Sequence, residues 1–167
     1  KGNLAFLKNS YFAYIGRDDE GRKVTGTFNQ SLDDVAYIEI NLDGELPSGF
    51  KRLKKAISET LEDFKFYAGT NIEYKFIDPS VAKSQQARNE FYQSIVKKGI
   101  QPTNRTFKKD GNKTERLIFP GASISYYGKE KAVMLLKGNQ AASAEEQLNQ
   151  SIEGLEYEIS SAIRTLA

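Results

Sequence analysis

The chain contains no histidine and no cysteine, and these two gaps exclude more chemistry than the residues present suggest. Without histidine it lacks the usual general base near neutral pH and the commonest metal ligand. Without cysteine, thiol catalysis, Fe–S clusters and disulfide bonds are excluded, although a cytosol and a bacterial envelope both tolerate such a composition. No run of about 18 apolar residues occurs, so no segment reads as a membrane-spanning helix. An excess of one charge is missing too. The 24 basic and 22 acidic residues leave a net charge of only +2, against the clearly basic domain of a dedicated nucleic-acid binder. What remains is a chain of 167 residues, enough for one domain with a real core or a domain with an appendage. It opens on Lys1 rather than Met, which reads as a piece of a longer protein whose other parts carry any membrane segments.

The most informative stretch runs from Val35 to Ser80. An apolar strand from Val35 to Leu42 enters the turn Asp43-Gly44-Glu45-Leu46-Pro47-Ser48-Gly49. A helix follows to about Tyr67, with Gly69 as its stop. Phe50, Leu53, Ile57, Leu61 and Phe64 recur at helical period and are expected in the core. The strand Ile72–Ile77 comes next, with Glu73 and Lys75 on one wet face, as suits a strand at a sheet edge.

Elsewhere the pattern predicts a hairpin of Tyr11–Ile15 and Lys23–Phe28. The intervening Asp18, Asp19 and Glu20 lack the spacing of a calcium loop and read as turn residues. A second helix over 84–98 stacks Ala87, Phe91 and Ile95 and stops at Gly99. Strand segments follow at 103–108, turning at Asp110-Gly111-Asn112, then at 116–119, 124–127 and 132–136. Pro120-Gly121 is expected as a bulge or bend within this run. Ser143 and Glu146 form a capping box for a last helix carrying Leu148, Ile152, Leu155, Ile159, Ile163 and Leu166 on one side, with Gly154 as a cost of about 1 kcal/mol against alanine.

The order β-α-β-α-β-β-α from Val35 predicts an α/β fold with a mixed sheet and a thioredoxin-like core. The expected division is a β extension over residues 1–34 and the thioredoxin-like domain over 35–167. Pro102 enters a strand directly after the second helix, where thioredoxin-like proteins place a cis proline; both isomers stay open here. The redox cysteines of that fold are absent.

Three ungapped stretches carry a resemblance to a known family. They are Leu42–Leu53 (LDGELPSGFKRL), Gly99–Asn104 (GIQPTN) and Ile118–Ala122 (IFPGA), joined by Asn149–Glu158 in the last helix. Together, in this order, they resemble GldG, the gliding-motility-associated auxiliary subunit of an ABC-type transporter in Bacteroidetes. The resemblance covers about Val35 to Leu166, and residues 1–30 lie outside it. Family members are larger, with membrane helices flanking an extracytoplasmic soluble region that holds a second α/β domain. The resemblance thus implies the N-terminal part of that region, at the periplasmic face of the inner membrane in the bacterial cell envelope. Its partners would be the permease and ATPase subunits of the transporter and other envelope motility proteins, with membrane attachment through segments absent from this chain. It implies no catalytic residue, cofactor or metal.

The residues that invite a partner are Asp43, Gly44, Glu45, Leu46, Pro47 and Gly49 in the loop, Lys51, Arg52 and Lys55 in the following helix turn, and Pro102. The helix carries Lys51, Arg52, Lys54 and Lys55 first and Glu59, Glu62 and Asp63 later, opposite to what its macrodipole favours. An anionic or acidic partner would explain that order, and ordinary scatter of solvated charge is the bland account. Asp43 and Glu45 could serve as an acid/base pair, but a turn with helix-start residues is the preferred account of them. Tyr126-Tyr127, with Tyr11 and Tyr14, offer a sugar- or peptide-binding surface or, more simply, half-buried strand tyrosines. The expected function is that of a non-enzymatic interaction domain. The alternative is a receptor domain delivering an anionic or saccharide ligand to the transporter.

Overall fold

The computed structural model describes residues 12–17, 23–28, 34–137 and 141–166. Its elements are β1 (Phe12–Arg17), β2 (Lys23–Phe28), β3 (Ala36–Ile40), α1 (Ser48–Ala68), β4 (Ile72–Phe76), α2 (Gln85–Lys98), β5 (Thr103–Lys109), β6 (Asn112–Ile118), β7 (Gly121–Tyr126), β8 (Lys129–Met134) and α3 (Ala144–Leu166). Strands β4-β3-β7-β8 form a mixed four-stranded sheet in that order. β3 and β4 run parallel, and β7 and β8 are antiparallel to their neighbours. The α/β class, the mixed sheet and the N-terminal hairpin of β1 and β2 are therefore as expected. The Asp18–Glu20 turn and Tyr11 lie outside the described residues. Among the described residues, no helix is long and apolar enough to cross a membrane.

Period-2 patterning in β3 sends Ala36, Ile38 and Ile40 to one face of the sheet, where they are fully buried. α1 and α3 cover that face. The α1 stripe Phe50, Leu53, Ile57, Leu61, Phe64 and the α3 residues Leu155, Ile159 and Ile163 close one core with Leu42, Ile124 and Tyr126. Gly49 sits where a Cβ would come within 2.5 Å of Leu148 Cδ1, so the start of α1 lies close against α3. The capping box forms as read: Ser143 N donates to Glu146 Oε2 and Glu146 N to Ser143 Oγ, each at 3.2 Å. β4 is the sheet edge, with Glu73 and Lys75 exposed.

Three expectations need correcting, and the isomer left open at Pro102 is decided. The strand segments at 103–109 and 112–118 do not join the main sheet. β5 and β6 form a separate hairpin, turned by Asp110 and Gly111 at φ 51° and 82°. Pro120-Gly121 is accordingly no bulge within a strand. It is the crossing from hairpin to main sheet, and the buried Pro120 carbonyl accepts from Leu135 N at 2.9 Å and Leu136 N at 3.2 Å. Pro102 is trans and enters β5, outside the four-stranded sheet. Finally, α2 does not bury its Ala87-Phe91-Ile95 row: only Ile95 is buried, in a small cluster with Ile100 and Phe119. The helix is too polar to cover the whole second face of the sheet: its small cluster packs against Ala132 and Met134 of β8, Lys98 stands 3.8 Å from Glu130, and Ala87 N donates to the Ser84 N-cap oxygen at 3.1 Å. Among the described residues the β3–β4 side of that face is left largely uncovered, and Tyr37 on it is 51% exposed.

Candidate functional site

Parallel strands β3 and β4 end side by side, and the crevice beyond their carboxyl ends is where α/β sheets commonly bind ligands. Here the chain after β3 turns sharply. Asn41 is buried, its N–H donating to Gly121 O at 3.1 Å, and Leu42 and Leu46 point into the core. Gly44 takes φ 83°, and a Cβ there would lie 2.3 Å from Asp78 Oδ2, so both backbone and space demand glycine. Pro47 precedes the first turn of α1 and its carbonyl accepts from Phe50 N and Lys51 N, each at 3.0 Å.

The β5–β6 hairpin lies across this crevice and is fastened by charge. Asp78, just beyond β4, is the node: its Oδ1 accepts from Ser80 N at 2.9 Å, Ser80 Oγ at 2.7 Å and Arg116 Nη2 of β6 at 3.1 Å. Arg116 Nη2 also donates to Ser80 Oγ at 2.8 Å. From β5, Lys109 pairs with Glu45, and the Arg105 guanidinium lies 5.8 Å from the Phe50 ring centre. Asp43 accepts from Lys54 Nζ at 2.6 Å.

These partners decide the electrostatics of the loop. The hydrogen bond from Lys54, helped by the Gly44 N–H, holds the Asp43 carboxyl below its ordinary range. The hydrogen bond from Lys109 does the same for Glu45. Both carboxylates are steadied in the ionised form, the opposite of what a general acid near neutral pH requires. Among the described residues no group of three or more acidic side chains is gathered to hold a metal ion.

The reversed charge order of α1 receives a mostly structural explanation. Lys54 belongs to Asp43 and also lies over the Phe76 ring, 5.2 Å from its centre. Arg52 Nη1 donates to Asn149 Oδ1 of α3 at 2.7 Å, and Lys55 stands 3.9 Å from Glu59. Only Lys51 of the four is left without a partner among the described residues. It borders an open groove of about 490 Å³, whose walls are Gly44–Ser48 and Lys51 on one side and Phe107, Lys108 and Lys109 of β5 on the other. The fold thus gathers Asp43–Gly49, Lys51 and β5 in one place, while Arg52 turns to α3 and Pro102 lies exposed at the base of the hairpin. Of the tyrosines, Tyr126 is core rather than surface, and Tyr127 is exposed in the turn between β7 and β8 at φ 53°. Tyr11 lies outside the described residues.

Sequence reasoning missed Asp78, Arg116, Phe107 and Lys108. Asp78 carried a usable signal, since it follows the second parallel strand and faces the same crevice as Asp43. The hairpin residues carried none, because their position depends on β5 and β6 leaving the main sheet. No curated protein and no solved structure matches the chain. A family described as a domain of unknown function, DUF7088, matches residues 22–125, from just before β2 to near the end of β7, and so takes in the loop, α1, the crevice and the hairpin across it. With well over half of its length matched, this chain belongs to the DUF7088 family.

Proposed function

We propose that this domain works by binding and assembly: it is an extracytoplasmic interaction module of an ABC-transporter-associated envelope protein of the GldG type, placed at the periplasmic face of the inner membrane. The observation that carries the reading is the crevice itself. Its acids are neutralised one by one by lysine and arginine, its mouth is roofed by a hairpin, and the adjoining rim presents Lys51 and Lys108 to solvent. A rim whose cations have no partner among the described residues, beside a filled crevice, suits a partner docking from outside.

At the level of fold, we read the core as thioredoxin-like. The order β4-β3-β7-β8 with α1 and α3 on one face supports this, and the β5–β6 hairpin is then an insertion between α2 and the third core strand. A second reading, a receptor for a small anionic or saccharide ligand, draws on the same open groove of about 490 Å³.

The test is in-cell crosslinking from residues on the groove rim. Crosslinks to the transporter's permease, lost when Lys51→Glu and Lys108→Glu are combined, support the module. Undiminished crosslinks in that variant, or turnover of a compound by the purified domain, overturn it. Lys108 and not Arg52 is the second site because Arg52 is bonded to Asn149 within the fold.

A further inference from the structure

We propose that β5 accepts an acidic, extended segment of a partner protein as an added strand, seated in the groove between β5 and residues 44–51. The inference rests on the binding-module reading and adds the partner's conformation and charge.

The first support is an open strand edge. Among the described residues β5 pairs with β6 alone. The two-residue turn at Asp110-Gly111, with φ positive at both, makes the flanking Lys109–Asn112 pair a hydrogen-bonded one. Hydrogen-bonded and non-bonded pairs alternate from there. Lys109, Phe107 and Arg105 therefore direct their N–H and C=O to β6, whereas Lys108, Thr106 and Asn104 direct theirs to the open side. Such a row of backbone donors and acceptors is a template for strand addition.

The second support is the position of the groove. Its lining takes Phe107, Lys108 and Lys109 from β5 and none of β6, so it follows the open edge rather than the paired one. The facing wall is the 44–48 turn with Lys51, held in place by Gly44 packed on Asp78 and by Lys109 on Glu45. Phe107, half-buried at its floor, offers an apolar spot to every second residue of an incoming strand.

The third support is charge. Lys51 and Lys108 have no partner among the described residues, and the one carboxylate in the lining, Glu45, is already paired. The hairpin carries Arg105, Lys108, Lys109, Lys113 and Arg116 against Asp110 and Glu115. A second copy of β5 laid against this edge would bring three more positive charges, Arg105, Lys108 and Lys109, to an already basic strand, whereas a carboxylate-bearing strand meets complementary charge. The surface favours an acidic strand over its own copy.

The experiment uses the full chain and a labelled ten-residue peptide of alternating glutamate and valine, followed by fluorescence anisotropy at low salt. The expected result is saturable binding. It weakens about ten-fold when Lys51→Glu and Lys108→Glu are combined, taking each exposed charge at its usual modest worth and reversing both. It is lost with the same peptide N-methylated along its backbone, which keeps the charge and removes the donors. A lysine–valine peptide should not bind. Absence of binding by the parent peptide, or equal binding of its N-methylated form, overturns strand addition. If the methylated peptide binds equally while the double reversal abolishes permease crosslinks, strand addition fails and the module reading stands. Retained crosslinks in that variant defeat the module reading instead.

Discussion

Replacing Arg116 with methionine removes the guanidinium that pins β6 to the end of β4 and keeps most of the aliphatic stem. The side chains of Arg116 and Asp78 are 18% and 28% exposed, so the pair is neither a surface bridge worth about 0.2–1 kcal/mol nor a sealed one whose breakage costs about 3–5 kcal/mol. Asp78 would keep both donors of Ser80, at 2.9 Å and 2.7 Å, and water can reach it. The expected loss is that of one charge-assisted hydrogen bond moderated by this exposure, about 1–2 kcal/mol. Urea unfolding of Arg116→Met, Asp78→Asn and the double variant measures it, with a coupling energy of about 1 kcal/mol expected from the cycle. Because the contact fastens the hairpin and not the main sheet, amide exchange should accelerate in 103–118 and stay unchanged in β3 and β7. A coupling energy under about 0.3 kcal/mol, or exchange that rises equally in all strands, would refute the claim that this ion pair holds the hairpin down.

Three further outcomes follow from particular contacts. Gly154 lies inside α3, and a Cβ added there would meet nothing within 4 Å, so Gly154→Ala should raise stability by about 0.5–1 kcal/mol, read as a higher Tm. Gly121 is the opposite case: a Cβ would sit 2.9 Å from Val133 O and 2.8 Å from Ile100 Cγ2, and Gly121→Ala should cost about 1–3 kcal/mol in urea unfolding. Asp43 has a folded pKa below its ordinary 3.8, so the unfolded chain binds its proton first as pH falls. Its contribution is full above that value and disappears as pH drops through the lower folded value. Comparing wild type with Asp43→Asn at pH 5 and in the acid range should therefore show a flatter acid limb for the variant.

Much of the architecture was legible because the signals that encode it are local. The α1 stripe from Phe50 to Phe64 and the α3 stripe from Leu148 to Leu166 repeat at helical period, and all of these residues are buried except Ile152, which packs partly buried against the same core. Alternation in 72–76 announced an edge strand, and the Ser143–Glu146 box announced where α3 begins. The same logic failed at α2. Ala87, Phe91 and Ile95 have the right spacing, but three apolar residues on a polar helix do not create the area needed to cover a sheet face. It also failed at β5 and β6, whose alternation gives strands without saying which sheet they join. The candidate loop at Asp43–Gly49 was visible from its place after the first strand, whereas the hairpin roof above it was not.

Composition and local pattern were enough to specify the elements, the two helices that build the core, and a chemistry without imidazole or thiol. Closure of the chain was needed to show that a hairpin roofs the crevice, that Lys54 and Arg52 serve the fold, and that, among the described residues, Lys51 and Lys108 have no partner beside the unpaired edge of β5. The reason is one of distance along the chain. Periodicity within an element spans a few residues, but Asp78–Arg116 is 38 residues apart and Arg52–Asn149 is 97, so these pairings exist only once the chain has folded back on itself.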